Sequence, residues 1–295
     1  MNKKSFNGPL FIVGLSRSGT KLLRDLLNNH SMIHLPTTET KIIPKILYKY
    51  KDYDIESIFN YYKLSLFYKR EGVDGLKKIL VEQNVRKASD FIEVMLKYHG
   101  YKDYDLWNKN MIWGDKTPNY LRYPGLLKKN FPYMKIIHII RDPRDRVLSA
   151  NKAWSNSILR AADNWRLEVK NFDNWKNKEV NKDNSYEIYY ESLLKQPVKN
   201  LKAICDYLGI EYEPGMEELK RPSEAGGSKR IVSDNIEKYK KKDKKIVKKI
   251  EEIVYKEAGK KGYEMEYADR YKKLPFIKLN ILRAYDYIIY KLNNK

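Results

Sequence analysis

The sequence is poor in the residues that most often announce chemistry. It holds one cysteine, Cys205, and four histidines in 295 residues. A lone thiol forms no intrachain disulfide, so a reducing compartment is expected. The same scarcity leaves no Cys/His metal cluster, and no metal is expected. Long apolar runs are missing too. No stretch reaches the 18 or so residues of a membrane span, so none is expected. The opening MNKKSFNGPLFIVGLSRS is apolar only from Leu10 to Val13, too short for the core of a secretion signal. A cytoplasmic location is the expectation. Acidic residues are also in short supply: 38 against 59 basic ones, a net charge of +21. That excess favours an anionic partner without naming it; the alternative reading is a compositional bias, since lysine, asparagine, isoleucine and tyrosine are all abundant, as an AT-rich genome would produce.

What is present is an alternation of strands and helices. LFIVG reads as a buried strand, and TKLLRDLLNNH as a helix with Leu22, Leu23, Leu26 and Leu27 on one face. KIIHIIRD, residues 135–142, reads as a second buried strand before the helical RDRVLSANKAW. SYEIYYESLL is a third, leading into a helix that Gly209 closes. This order implies an α/β fold with a central parallel sheet covered by helices on both faces. From residue 41 to 110 the pattern is helical and rich in tyrosine and lysine, which suggests a cap inserted into one domain spanning 1–270. Residues 271–295 form an amphipathic helix with Leu282, Tyr285, Ile289 and Leu292 at helical spacing, flanked by Lys278, Arg283 and Lys291. Its readings are packing on its own domain, pairing with a second subunit as a homodimer, or resting on a membrane surface.

The turn between the first strand and helix nearly spells a Walker A loop. Gly14 and Gly19 are spaced for it, but Thr20 precedes Lys21 and Leu22 occupies the usual magnesium-ligand position. A strand, a glycine turn and a helix still direct free backbone N–H groups at an anion. Arg17, Ser18, Thr20 and Lys21 add side-chain donors. The second strand ends in Arg141 rather than in a Walker B aspartate. Arginines in place of a metal suit a sulfuryl group better than a terminal phosphate.

At this point the sequence resembles the sulfotransferases that use 3′-phosphoadenosine 5′-phosphosulfate (PAPS), whose fold is P-loop-like. FIVGLSRSGTKLLRDLLNNHSMI is similar to their 5′-phosphosulfate loop, with Ser16 replacing the common proline and Lys21 a common threonine. YMKIIHIIRDPRDRVLSA resembles their 3′-phosphate motif, WGDKTPNYL their G-D-K-[ST]-P segment, and IYYESLLKQPVKNLKAICDYLGI a further helix entry. The resemblance implies that Arg17, Ser18, Gly19, Thr20 and Lys21 hold the 5′-phosphosulfate. It implies that Arg141 and Ser149 bind the 3′-phosphate, that Tyr190 lies along the nucleotide, and that Lys229 and Arg230 belong to a basic loop over the 3′-phosphate. ETKIIP further resembles a segment of the tyrosylprotein sulfotransferases whose glutamate is the base. That points to Glu39 as base, with Lys116 and Arg17 stabilising charge, and leaves His34 as the rival. His30 is expected to fix the end of the first helix.

The function so implied is transfer of a sulfuryl group from PAPS to an acceptor hydroxyl, releasing 3′,5′-adenosine bisphosphate. A glycan or lipid-linked saccharide is the first choice of acceptor and a peptide tyrosine the second. The alternatives are a nucleotide kinase or triphosphatase with a degenerate Walker A loop, and a basic nucleic-acid-binding protein. Nucleic acid ranks last, because an aromatic-basic recognition motif is missing.

Overall fold

A computed structural model describes residues 6–50, 54–71, 75–101, 111–219, 231 and 235–293. In chain order its elements begin with strand β1 (Pro9–Gly14), helix α1 (Thr20–Leu27) and the two-residue strand β2 (Ile33–His34). Five helices follow: α2 (Ile43–Lys49), α3 (Ile55–Lys63), α4 (Leu66–Glu71), α5 (Leu76–Glu82) and α6 (Ala88–Gly100). Then come β3 (Ile112–Lys116), α7 (Pro124–Asn130), β4 (Lys135–Ile140), α8 (Pro143–Trp154) and α9 (Ile158–Lys176). The chain finishes with β5 (Ser185–Tyr189), α10 (Tyr190–Lys195), α11 (Pro197–Leu208), α12 (Lys244–Lys260) and α13 (Phe276–Asn293).

The five strands make one parallel sheet in the order β2-β3-β1-β4-β5. β1 lies at its centre, with Phe11 opposite Asp115 on one side and Ile136 on the other. Alternation of side chains along β1 divides the core in two. Phe11 and Val13 point into a cluster with Ile136, Ile140 and the helices α2, α6 and α9. Leu10 and Ile12 point into another with Ile137, Ile139, Leu23, Leu26 and Leu201. Each such leucine or isoleucine withdrawn from water contributes roughly 1.5–3 kcal/mol. The fold is therefore α/β, with helices on both faces of a parallel sheet.

Two strands were not legible beforehand. β3 is short and carries Gly114, Asp115 and Lys116, so it lacks the apolar run that marks β1 and β4. Gly114 is required there by close approach: a Cβ at this position would lie 1.9 Å from the Leu10 carbonyl oxygen. β2 is only Ile33 and His34. The segment from 41 to 110 supplies α2 to α6 between β2 and β3. At the end of the chain, α13 packs on α9 through half-buried Leu279, Leu282 and Ile289 and buried Asp286. Of the four apolar residues first read as one stripe, Leu282 and Ile289 face inward, whereas Tyr285 and Leu292 face solvent. No helix among the described residues is long and apolar enough to cross a membrane.

Candidate active site

The turn that follows β1 is tight. The Ser18 amide donates to the Leu15 carbonyl at 3.1 Å. Arg17 (φ 75°) and Gly19 (φ 93°) both take left-handed backbone. That conformation costs a non-glycine residue about 1 kcal/mol or more, so its presence at Arg17 marks a turn shaped by its surroundings. Gly19 caps α1 without a side-chain hydrogen bond. The N–H groups of the first turn of α1 have no intrahelical acceptor, and the positive end of the helix dipole lies among them. At Gly19 there is no room for more: a Cβ would come within 2.4 Å of the Tyr190 ring.

Tyr190, the first residue of α10, is buried against this turn, and its phenol is pushed above its ordinary range by burial. The Arg141 guanidinium stacks over the same ring, 4.7 Å from its centroid. Arg141 leaves the end of β4 and reaches two carbonyls, donating to Arg17 at 2.9 Å and to Asn235 at 2.7 Å. Its Nε is buried without a hydrogen-bond partner among the described residues. An orphaned buried donor on a cation is an invitation to an anion. From the other side, Arg17 Nε donates to Ser149 Oγ in α8 at 3.2 Å. Arg17, Arg141, Ser149, Gly19 and Tyr190 thus form one connected group drawn from four elements. Buried Arg146 supports it from beneath, donating to the Ser16 carbonyl at 3.2 Å and to Ala161 at 3.1 Å. Burial lowers its pKa to about 10, so it stays charged at neutral pH.

A second group lies at the ends of β3 and of the loop after β2. Lys116 Nζ is 2.7 Å from Glu39 Oε1, and Lys41 is 3.4 Å from the other oxygen. Lys116 is buried and Glu39 half-buried. A buried knot holds both chains in place. Asp115 accepts from Thr40 at 2.8 Å and from Thr117 at 2.6 Å, and the Thr40 hydroxyl meets the Tyr120 hydroxyl at 2.6 Å. The Ile43 amide donates to that tyrosine at 3.1 Å. Burial raises the Asp115 carboxyl to about 6, against the hydrogen bonds from both threonines and the nearby Lys116 charge. A cleft of about 510 Å³ opens above the pair. Lys21 in the first turn of α1 lines it together with Glu39, Lys116, Lys45, Tyr61 and Ser65. Lys21 therefore joins the α1 N-terminus to the Glu39–Lys116 pair.

Several residues named from sequence fall elsewhere. Arg17, expected to stabilise charge together with Lys116, donates through Nε to Ser149 and is not among the residues lining the cleft with Lys116. His34 is not among the residues lining the cleft; it sits on β2, 2.9 Å from the Ser31 carbonyl and edge-on to Tyr101. His30 is buried two residues beyond the cap of α1. It accepts from the Met32 amide at 3.0 Å and lies 2.7 Å from the Glu211 carbonyl. Lys229 and Arg230 lie outside the described residues. Sequence reading missed Arg146, Asn235 and the Asp115–Thr40–Tyr120 knot. The first and last of these had a signal, since Arg146 and Asp115 stand inside motifs already singled out. Asp142, the nearest residue to a Walker B position, caps α8 and is gripped by Arg144, at 2.7 and 3.0 Å from its two oxygens.

A family model described as "Sulfotransferase family" matches residues 9–214. The chain belongs to that family. It is similar to a protein-tyrosine sulfotransferase A of Caenorhabditis elegans, 26% identical over 69% of this chain and 50% of that protein. It is also similar to an uncharacterized protein of Aquifex aeolicus, 24% identical over 82% of this chain and 32% of that one. The chain thus spans between a third and a half of the length of these relatives. Among solved structures, a sulfotransferase domain from the Synechococcus PCC 7002 olefin synthase superposes with a TM-score of 0.63. That match is 19% identical and covers 90% of this chain and 98% of the domain. Membership accounts for the P-loop-like architecture and for the order of the four motifs along the chain.

Proposed function

We propose that the protein transfers a sulfuryl group from PAPS to an acceptor hydroxyl in the cleft above Glu39 and Lys116. The observation that carries this reading is the continuity of the two groups. The turn before α1 reaches Arg141 and Ser149 at one end, and through Lys21 faces Glu39 and Lys116 at the other. The residues fit the nucleotide. The orphaned Nε of Arg141 and the hydroxyl of Ser149 suit the 3′-phosphate, the Tyr190 ring suits the nucleoside, and the N–H groups of α1 suit the 5′-phosphosulfate. Arg17 bridges the two ends, its backbone in the turn and its guanidinium on Ser149.

PAPS, when bound, supplies the sulfuryl group and carries away the leaving phosphate. Glu39 takes the acceptor proton as the new sulfur–oxygen bond forms and the bond from sulfur to the 5′-phosphate oxygen breaks. Lys116 fixes Glu39 at 2.7 Å and, with Lys21, faces the charge that develops on the leaving oxygen. The cleft offers threonine hydroxyls, lysines and a tyrosine ring, a lining that suits a saccharide or lipid-linked saccharide. A peptide tyrosine is the second reading, supported by the Caenorhabditis elegans relative.

The test is incubation with sulfur-labelled PAPS and a panel of saccharides, lipid-linked saccharides and tyrosine peptides, following label in the acceptor and release of the bisphosphate. Label in one class, with stoichiometric bisphosphate, is the expected outcome. Tight bisphosphate binding without transfer to any hydroxyl would overturn the catalytic part of the proposal.

A further inference from the structure

The last helix carries a second apolar face that the fold does not use. On α13, Leu279, Leu282, Asp286 and Ile289 recur at helical spacing and face the body of the protein. About a third of a turn away, Ile277, Ile281, Tyr285, Ile288 and Leu292 form another continuous stripe. These five are open to solvent, with Ile277 exposed at 74%, Ile281 at 63% and Ile288 at 57%. Single exposed apolar residues are ordinary, but five in register along one helix are not.

The helix cannot hide this stripe by rolling. Asp286 is buried and receives the Ser157 amide at 2.7 Å together with the Arg160 guanidinium. Turning the stripe inward would carry that carboxylate away from both partners. The phase of α13 is therefore locked with its second apolar face outward.

The charges decide what covers it. Asp286 is the only acidic residue from Phe276 to Asn293, and it points inward. The charges left on the outer surface are Lys278, Arg283 and Lys291, all exposed. A second copy pairing through this stripe would set lysines of one chain beside lysines of the other, on two bodies each carrying a net +21. A surface of negative headgroups over an apolar interior matches both features at once. We propose that α13 lies in the plane of an anionic lipid bilayer, with Ile277, Ile281, Tyr285, Ile288 and Leu292 immersed and Lys278 and Lys291, which flank the stripe, at the headgroups. The helix lies on the bilayer and does not span it.

The experiment is co-sedimentation of the full chain with phosphatidylcholine vesicles, with and without phosphatidylserine. The informative variant is Ile281→Ser with Ile288→Ser, which leaves the net charge unchanged and alters no buried residue. Wild type should sediment with the phosphatidylserine vesicles, less so as salt rises. The double variant should lose roughly tenfold in partitioning per isoleucine replaced. Lys278→Gln with Lys291→Gln should weaken binding and flatten its salt dependence. Three outcomes overturn the proposal. The first is no sedimentation of wild type. The second is equal sedimentation of the double serine variant, which would assign binding to general basicity. The third is a dimer by light scattering that the serine pair dissociates, which would make a second copy the occupant.

Discussion

Lys116, at the end of β3, donates a 2.7 Å hydrogen bond to Glu39 in the loop before α2. The ammonium is buried and the carboxylate opens on the cleft. One carboxylate oxygen is held by this lysine, and the other lies 3.4 Å from the ammonium of Lys41.

Glu39→Gln keeps the size of the side chain and removes its basicity. Turnover with PAPS should fall by roughly two to four orders of magnitude, the usual worth of a general base. Affinity for 3′,5′-adenosine bisphosphate, measured by calorimetry, should stay within experimental error. His34→Gln is the control and should remain active. A dead His34→Gln beside an active Glu39→Gln would move the base to histidine.

We propose that Arg141 discriminates between the bisphosphate and AMP. Its buried Nε lacks a partner among the described residues, and the Ser149 hydroxyl is one residue away through Arg17. Thermal shifts without magnesium should be much larger for the bisphosphate than for AMP. Arg141→Ala should reduce bisphosphate affinity by roughly tenfold to a hundredfold, the scale of charge-assisted hydrogen bonds. AMP binding should barely change. Equal shifts for the two nucleotides in wild type would remove the 3′-phosphate assignment.

Gly19→Ala tests the turn itself. The new methyl must adopt φ near 93° and would meet the Tyr190 ring at 2.4 Å. The folded state should lose about 1 to 3 kcal/mol in urea denaturation. Bisphosphate binding should fall further than stability does, because the ring and the turn both shift. Full binding in a folded Gly19→Ala protein would show that the nucleotide lies elsewhere.

Asp115 gives a pH signature. Its folded pKa, raised to about 6 by burial, lies above the ordinary carboxylate value. The folded state thus binds the proton more tightly than the unfolded one, and this contribution to stability is lost as pH rises from about 4 to about 6. In Asp115→Asn that decline should be shallower by at most about 3 kcal/mol. Thermal midpoints of both proteins across this range check it. Parallel curves would mean that the carboxyl does not titrate there.

Most of this architecture was legible because apolar runs announce buried strands. LFIVG and KIIHII became β1 and β4, and the tyrosine-rich SYEIY became β5. β3 escaped because its glycine, aspartate and lysine, though buried in the sheet, erase the apolar signal. The cluster around Arg141 was named residue by residue. What sequence could not show was direction. Arg17 was expected to stabilise charge with Lys116, and its Nε donates to Ser149, a contact that its identity alone does not announce. The last helix was mis-phased for a related reason. Two apolar stripes overlap on it, and only the inward ion pair of Asp286 with Arg160 tells them apart.

The central place of β1 sets the order in which this protein can become whole. Phe11 waits for Asp115 on one flank and Ile136 on the other, and Gly19 waits longer still for Tyr190. Such distant pairings raise contact order and slow folding. On the ribosome the turn that precedes α1 emerges early and stays unfinished until β5 and α10 have been made. A chain halted between β4 and β5 has all three central strands and the turn before α1, with no Tyr190 ring against it. On the proposed nucleotide site, refolding followed through bisphosphate binding should lag behind refolding followed through helix content.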